Sequence, residues 1–127
     1  MTMKINLKKM KLFIDDIRSA PDDSWITVRN SEEAIHFIEQ NGISDVISFD
    51  HDLGGDDTSM KIVNAIVEMV LDGKTSFPDN VIFFVHSDNP VGAENIVEAI
   101  LGFMGHLDIE YKNKVIRLKN GEQFMYS

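Results

Sequence analysis

Three short polar clusters hold the side chains of this chain best suited to chemistry: Asp15-Asp16, Asp50-His51-Asp52 and His86-Ser87-Asp88-Asn89. Neighbouring carboxylates form an all-oxygen donor set, the kind that suits Mg2+ or Mn2+ with water completing the shell. A carboxylate can also attack phosphorus, and an imidazole can pass a proton to or from water or a leaving hydroxyl near neutral pH. Asp15, Asp16 and Asp50 are therefore the candidate metal ligands, and Asp50, His51 and His86 the candidate catalytic groups. Arg18 has a planar fork that suits an anion with several oxygens, while Ser87 and Asn89 add hydrogen-bond donors. Those three are the candidate substrate-binding residues.

Each cluster also has a plainer reading. Paired acids cap turns. His51 can be a turn residue bonded to backbone. His86 follows five apolar residues, Val81–Val85, which fits a buried, hydrogen-bonded core histidine as well as a proton carrier. Arg18 can pair with one of the many acids. His36 and His106 stand on helical segments without polar company and are incidental.

What draws the clusters together is the apolar run ahead of each. Lys11-Leu-Phe-Ile14 leads into the first, Val46-Ile-Ser-Phe49 into the second and Val81–Val85 into the third. Short buried strands that end in polar groups and turns are how α/β proteins present chemistry at one edge of a sheet. Strands are expected at about 10–15, 25–28, 45–50 and 80–86. A helix opens at Asn30, with Glu33 three residues on as a capping-box variant, and stops at Asn41-Gly42. A second helix spans about 58–71, and Asn89-Pro90 starts a third that runs to about 106. Because a helix N-terminus directs free N–H groups at the same edge, it adds a place for an anion. Gly92 permits close approach there, or simply eases helix packing.

The alternation predicts an α/β fold with a mostly parallel sheet covered by helices. Only eight residues, Ile17–Ser24, join the first two strands. Extended, they reach about 27 Å, enough to return along a strand of about 17 Å but with no room for a helix. Segments 114–119 and 122–126 flank Asn120-Gly121, a favourable two-residue turn, and predict a C-terminal β-hairpin.

A chain of 127 residues fits one domain over 1–127, with 1–9 as a loose arm and 108–127 as a C-terminal extension. The absence of cysteine excludes disulfide and thiolate chemistry and fits a cytoplasmic setting. No run approaches the 18 or so apolar residues of a membrane span, so no membrane association is expected. The net charge of −9 is concentrated in residues 12–110, where 20 acids face four bases. Such a body repels long polyanions, which excludes extended nucleic-acid binding, and it suits a divalent cation. Most of these acids serve solubility.

Phe13-Ile-Asp-Asp-Ile-Arg18 with Ala20-Pro21-Asp22 and Trp25, then Ser48-Phe-Asp-His-Asp-Leu-Gly54, then Val85-His-Ser-Asp-Asn-Pro-Val-Gly92, together resemble the cyclic-phosphate-processing receiver-like domain family. The resemblance runs in order through about residues 11–105. It implies a receiver-like, flavodoxin-type three-layer fold, here with the first crossover helix replaced by a loop. It also implies a role in processing cyclic phosphates, such as 2′,3′-cyclic ends of damaged RNA. Asp15, Asp16 and Asp50 then match the acidic metal pocket of receivers, with Asp50 at the phosphoacceptor position and Ser87 at the receiver hydroxyl. The chain departs from the family pattern at Ala93, where a basic residue is expected, and at Ser59-Met60. A signalling receiver also has a lysine at the end of its fifth strand, for which Lys112 and Lys114 are imperfect candidates. The expected function is a metal-dependent phosphoesterase acting on a small or terminal cyclic phosphate. The alternative is a receiver-like phosphate-binding or phosphoacceptor module without hydrolase activity.

Overall fold

The computed structural model describes residues 9–126. The expected arm falls on residues 1–8, outside that range, apart from exposed Lys9. The apolar runs form β1 (Lys11–Ile14), β2 (Trp25–Val28), β3 (Val46–Phe49) and β4 (Ile82–Val85), and the tail forms β5 (Val115–Lys119) and β6 (Glu122–Met125). Three helices lie between them: α1 (Ser31–Asn41), α2 (Met60–Leu71) and α3 (Pro90–His106). The six strands form one sheet in the order β2-β1-β3-β4-β5-β6, parallel throughout except for the antiparallel β5–β6 pair. That order reverses direction beside β1, the place where open α/β sheets build their crevice.

Local chemistry explains the boundaries. Asn30 caps α1 by accepting from the Glu33 N–H at 2.8 Å, and Glu33 reaches back to accept from the Arg29 N–H at 2.8 Å. Gly42 ends α1 at φ 79°, a left-handed conformation that costs glycine little. Asn89 caps α3 by accepting from the Gly92 N–H at 3.0 Å, with Pro90 in the first turn. The hairpin turn places Asn120 at φ 52° and Gly121 at φ 78°, the double left-handed pattern that matches strand twist.

The β2–β3, β3–β4 and β4–β5 connections all step the same way along the sheet. Right-handed crossovers therefore put all three helices on one face, where α1 packs on α2 and α2 on α3. Alternation turns Leu12, Ile14, Ile47, Phe49, Phe83 and Val85 towards them, each at most 1% exposed. Burying side chains of this size contributes about 1.5–3 kcal/mol apiece. The fold class is as the sequence predicts, but the layering is two rather than three among the described residues. The β1–β2 connection is a loop and the chain closes in a hairpin, so neither supplies a helix to the second face. That face carries Phe13, Trp25, Ser48, Phe84 and Leu118 by the same alternation.

Candidate functional site

Ile14, Phe49 and Val85 are paired in register across β1, β3 and β4. The next residue on each strand is Asp15, Asp50 and His86, so three of the predicted site residues stand side by side by construction. The ladder holds their backbones: the Asp50 N–H donates to Ile14 O at 2.9 Å and the His86 N–H to Phe49 O at 2.9 Å. The Asp15 N–H reaches Val28 O at 3.2 Å.

Asp15 is fully buried. Its Oδ1 accepts from the Ile17 N–H at 3.0 Å and the Arg18 N–H at 2.8 Å, and its Oδ2 lies 3.0 Å from His86 Nε2. Burial pushes its carboxyl up, but the two N–H groups and His86 together outweigh burial and hold it below the usual carboxylate range. Asp15 is thus an acceptor, and His86 Nε2 donates to it. Burial lowers the His86 pKa, against the opposing pull of Asp15, so the ring is neutral at neutral pH. Its Nδ1 then accepts from Ser48 Oγ at 2.6 Å. The ring also stacks on Phe13, with centroids 4.6 Å apart and planes 6° from parallel. Both His86 nitrogens are committed, and the residue orients Asp15.

The carboxylate oxygens of Asp15, Asp16 and Asp50 include three that all lie within 4.8 Å of one another. Asp50 registers the crowding: burial first, then the charge of Asp15 and more weakly that of Asp16, push its carboxyl up to about 6. A hydrogen bond from Ser87 and the charge of Arg18 pull the other way. An all-carboxylate donor set with mutual repulsion fits a hard divalent cation, which would relieve that repulsion.

His51 lies elsewhere. Alternation sends it to the helix-bearing side of the sheet, against the first turn of α3. A Cβ at Gly92 would meet the His51 ring at 2.4 Å, so glycine is required there by His51. Its Nδ1 contacts Asp52 Oδ1 at 3.0 Å, and Asn89 Nδ2 donates to Asp52 Oδ2 at 3.2 Å. His51 and His86 therefore sit on opposite sides of the sheet edge, each with its own carboxylate.

The predicted anion-binding residues are partly occupied. Arg18 donates to His86 O at 3.1 Å and forms an ion pair with Asp88. Asn89 serves as the α3 cap and holds Asp52. Ser87 faces Asp50 and accepts from the Asn89 N–H at 3.1 Å. Lys114 donates to Asp79 O at 2.9 Å at the start of β5, the edge away from the acids. The basic residue at the other end of β5 is exposed Lys119, two positions beyond the Val85–Arg117 pair.

Sequence reasoning missed three supports. Ser48 is polar within a four-residue apolar strand, and that interruption was the available signal. Ser59 donates to Asp50 O through its hydroxyl and to His51 O through its N–H at 2.9 Å, pinning the β3 end to α2. Arg29 donates to Asp15 O at 3.1 Å and Arg18 O at 2.6 Å, bracing the β1–β2 loop. Neither Ser59 nor Arg29 carries a mark in sequence, because their partners come from other segments.

The family model for the cyclic-phosphate processing receiver domain matches residues 10–102, the span that contains every residue of this site. No curated protein and no solved structure matches the chain.

Proposed function

The chain belongs to the cyclic-phosphate processing receiver domain family, and from that membership we propose that it is a metal-dependent phosphoesterase that opens a cyclic phosphate. The observation that carries the reading is the convergence of Asp15, Asp16 and Asp50 at the carboxyl edge of β1 and β3. A bound Mg2+ or Mn2+ would neutralise phosphate charge and lower the pKa of water. Asp15, held as a carboxylate by two N–H groups and His86, is the fixed ligand, and Asp16 and Asp50 complete the set. Ser87 and the α3 N-terminus hold phosphate oxygens, with Arg18 exchanging Asp88 for the substrate. His51 and Asp52 stand on the helix-bearing side of the strand end, so the proton that the attacking water gives up passes to the departing oxygen through solvent. Water adds to phosphorus, one ring P–O bond breaks, the departing oxygen takes a proton, and a phosphomonoester results. The substrate is a small cyclic phosphate or an RNA end.

The test is release of monoester from a panel of cyclic nucleotides with Mg2+ or Mn2+. Turnover that Asp50→Asn abolishes supports the proposal; none above that variant removes it. The contact between Ser87 and Asp50 favours a second reading, in which Asp50 accepts a phosphoryl group. A small phosphodonor would then give an acid-stable, hydroxylamine-labile adduct that Asp50→Asn lacks.

A further inference from the structure

On the helix-free face, a cavity of about 400 Å3 opens beside the acidic site. Its floor is Phe13, Ser48 and Phe84; Pro21 and Trp25 wall one side and Leu118 the other. His86 and Arg18 line its end, and they are also the residues that contact Asp15 and the strand ends. The cavity exists because a loop and a hairpin stand where helices would otherwise cover the sheet.

We propose that this cavity binds the base of a nucleoside cyclic phosphate, making the substrate a mononucleotide or a terminal nucleotide with its base laid on the open sheet. The proposal rests on the phosphoesterase reading for the phosphate end. Three features favour a base over another apolar group. The walls are aromatic and flat, and Trp25 is itself fixed by an edge contact to Phe13, centroids 6.0 Å apart, and by Lys11 Nζ 5.5 Å from its ring centroid. Ser19, on the rim, supplies a polar group for a heterocycle's edge. His86 and Arg18 border both places, so a ligand with its phosphate over the acids and one sugar between would reach both. The acidic body disfavours a longer polyanion, which limits the ligand to one nucleotide in the cavity.

Trp25 is the single tryptophan of the chain, so its emission reports the cavity directly. The full chain, without divalent metal, is titrated with 2′,3′-cyclic AMP, with adenosine, and with glycerol 1,2-cyclic phosphate, which has the phosphate ring but no base. Cyclic AMP and adenosine should quench Trp25 and the glycerol compound should not. By calorimetry the nucleotide should bind roughly tenfold or more tighter than the base-free ring, the factor expected for stacking on an aromatic side chain. Trp25→Ala should remove that advantage and leave the affinity for the base-free ring unchanged. Equal affinity for the two cyclic phosphates, or a silent Trp25 in the wild-type protein, overturns the proposal whether or not the variant folds. Hydrolysis of both cyclic phosphates at one rate with Trp25 silent removes the base site and keeps the phosphoesterase. Quenching by the nucleotide without turnover under any metal does the reverse.

Discussion

Replacing Asp50 by Asn should make the metal-free protein more stable at neutral pH. The folded carboxyl titrates at about 6 against an ordinary value of 3.8, so the native state holds this proton more tightly than the unfolded chain does. Ionising Asp50 is therefore destabilising. Below pH 3.8 both states are protonated and the penalty is absent; it grows between 3.8 and 6 and is complete above 6. At full weight the shift corresponds to about 3 kcal/mol. Asp50 is partly exposed, and solvent screening reduces this to about 1–2 kcal/mol. Asparagine keeps the size of the side chain and its capacity to bond Ser87 while removing the repulsion from Asp15 and Asp16. The assay is urea unfolding in a chelator, followed by Trp25 emission and circular dichroism from pH 4.5 to 8. The variant's advantage should be full at pH 7.5 and fall to about a third of that at pH 4.5. Adding Mg2+ should reverse the order, because an ion at 100 times its dissociation constant stabilises only the wild type, by about 2.7 kcal/mol. A variant no more stable than wild type at pH 7.5, or an advantage that does not shrink on acidification, would refute the electrostatic reasoning.

Three other substitutions test the supports of the site. Gly92→Ala places a methyl group 2.4 Å from His51 Cγ and should cost about 1–3 kcal/mol, recovered in large part by a second change His51→Ala; additive losses in a double-mutant cycle would count against the contact. Ser48→Ala leaves His86 Nδ1 buried without a donor and should cost about 1–3 kcal/mol, with a change in the Nδ1 nitrogen resonance while Nε2 stays protonated on Asp15. Loss of less than about 0.5 kcal/mol would mean that the bond contributes nothing beyond a surface substitution. Asn30→Ala removes the α1 cap and should lower stability by about 1 kcal/mol in denaturant unfolding; a loss of under about 0.3 kcal/mol would count against the cap.

Much of this protein is legible along the chain because its signals are local. Helix starts at Asn30 and Asn89 are written in the cap residue and its next three neighbours, and both caps form as spelled. The hairpin follows from Asn120-Gly121, and the loop between the first two strands follows from a spacing too short for a helix. The second start is less sharp: α2 begins at Met60 after Ser59, whose hydroxyl bonds Asp50 O instead of capping the helix. The layer count was beyond local reading. It depends on the step direction of each crossover and on what the tail does after β5, which are properties of strand order.

The site divides along the same line. Residue types and the apolar runs before them determine that acids and histidines end the strands, because hydrophobic burial sets where a strand stops being apolar. They also determine that Asp15, Asp50 and His86 come near one another, since parallel strands of equal length align their ends. Which face each side chain takes was decided only in three dimensions. Register and pleat put His86 on the open face with Ser48 and Asp15, and put His51 under the first turn of α3 with Asp52. Two histidines that look alike in sequence thereby become different objects, one neutral and fully bonded, the other packed against Gly92. The reason is physical: His86 takes its state from Ser48 and Asp15, 38 and 71 residues away, and His51, though bonded to its neighbour Asp52, is placed by packing against Gly92, contacts that close only when the sheet forms.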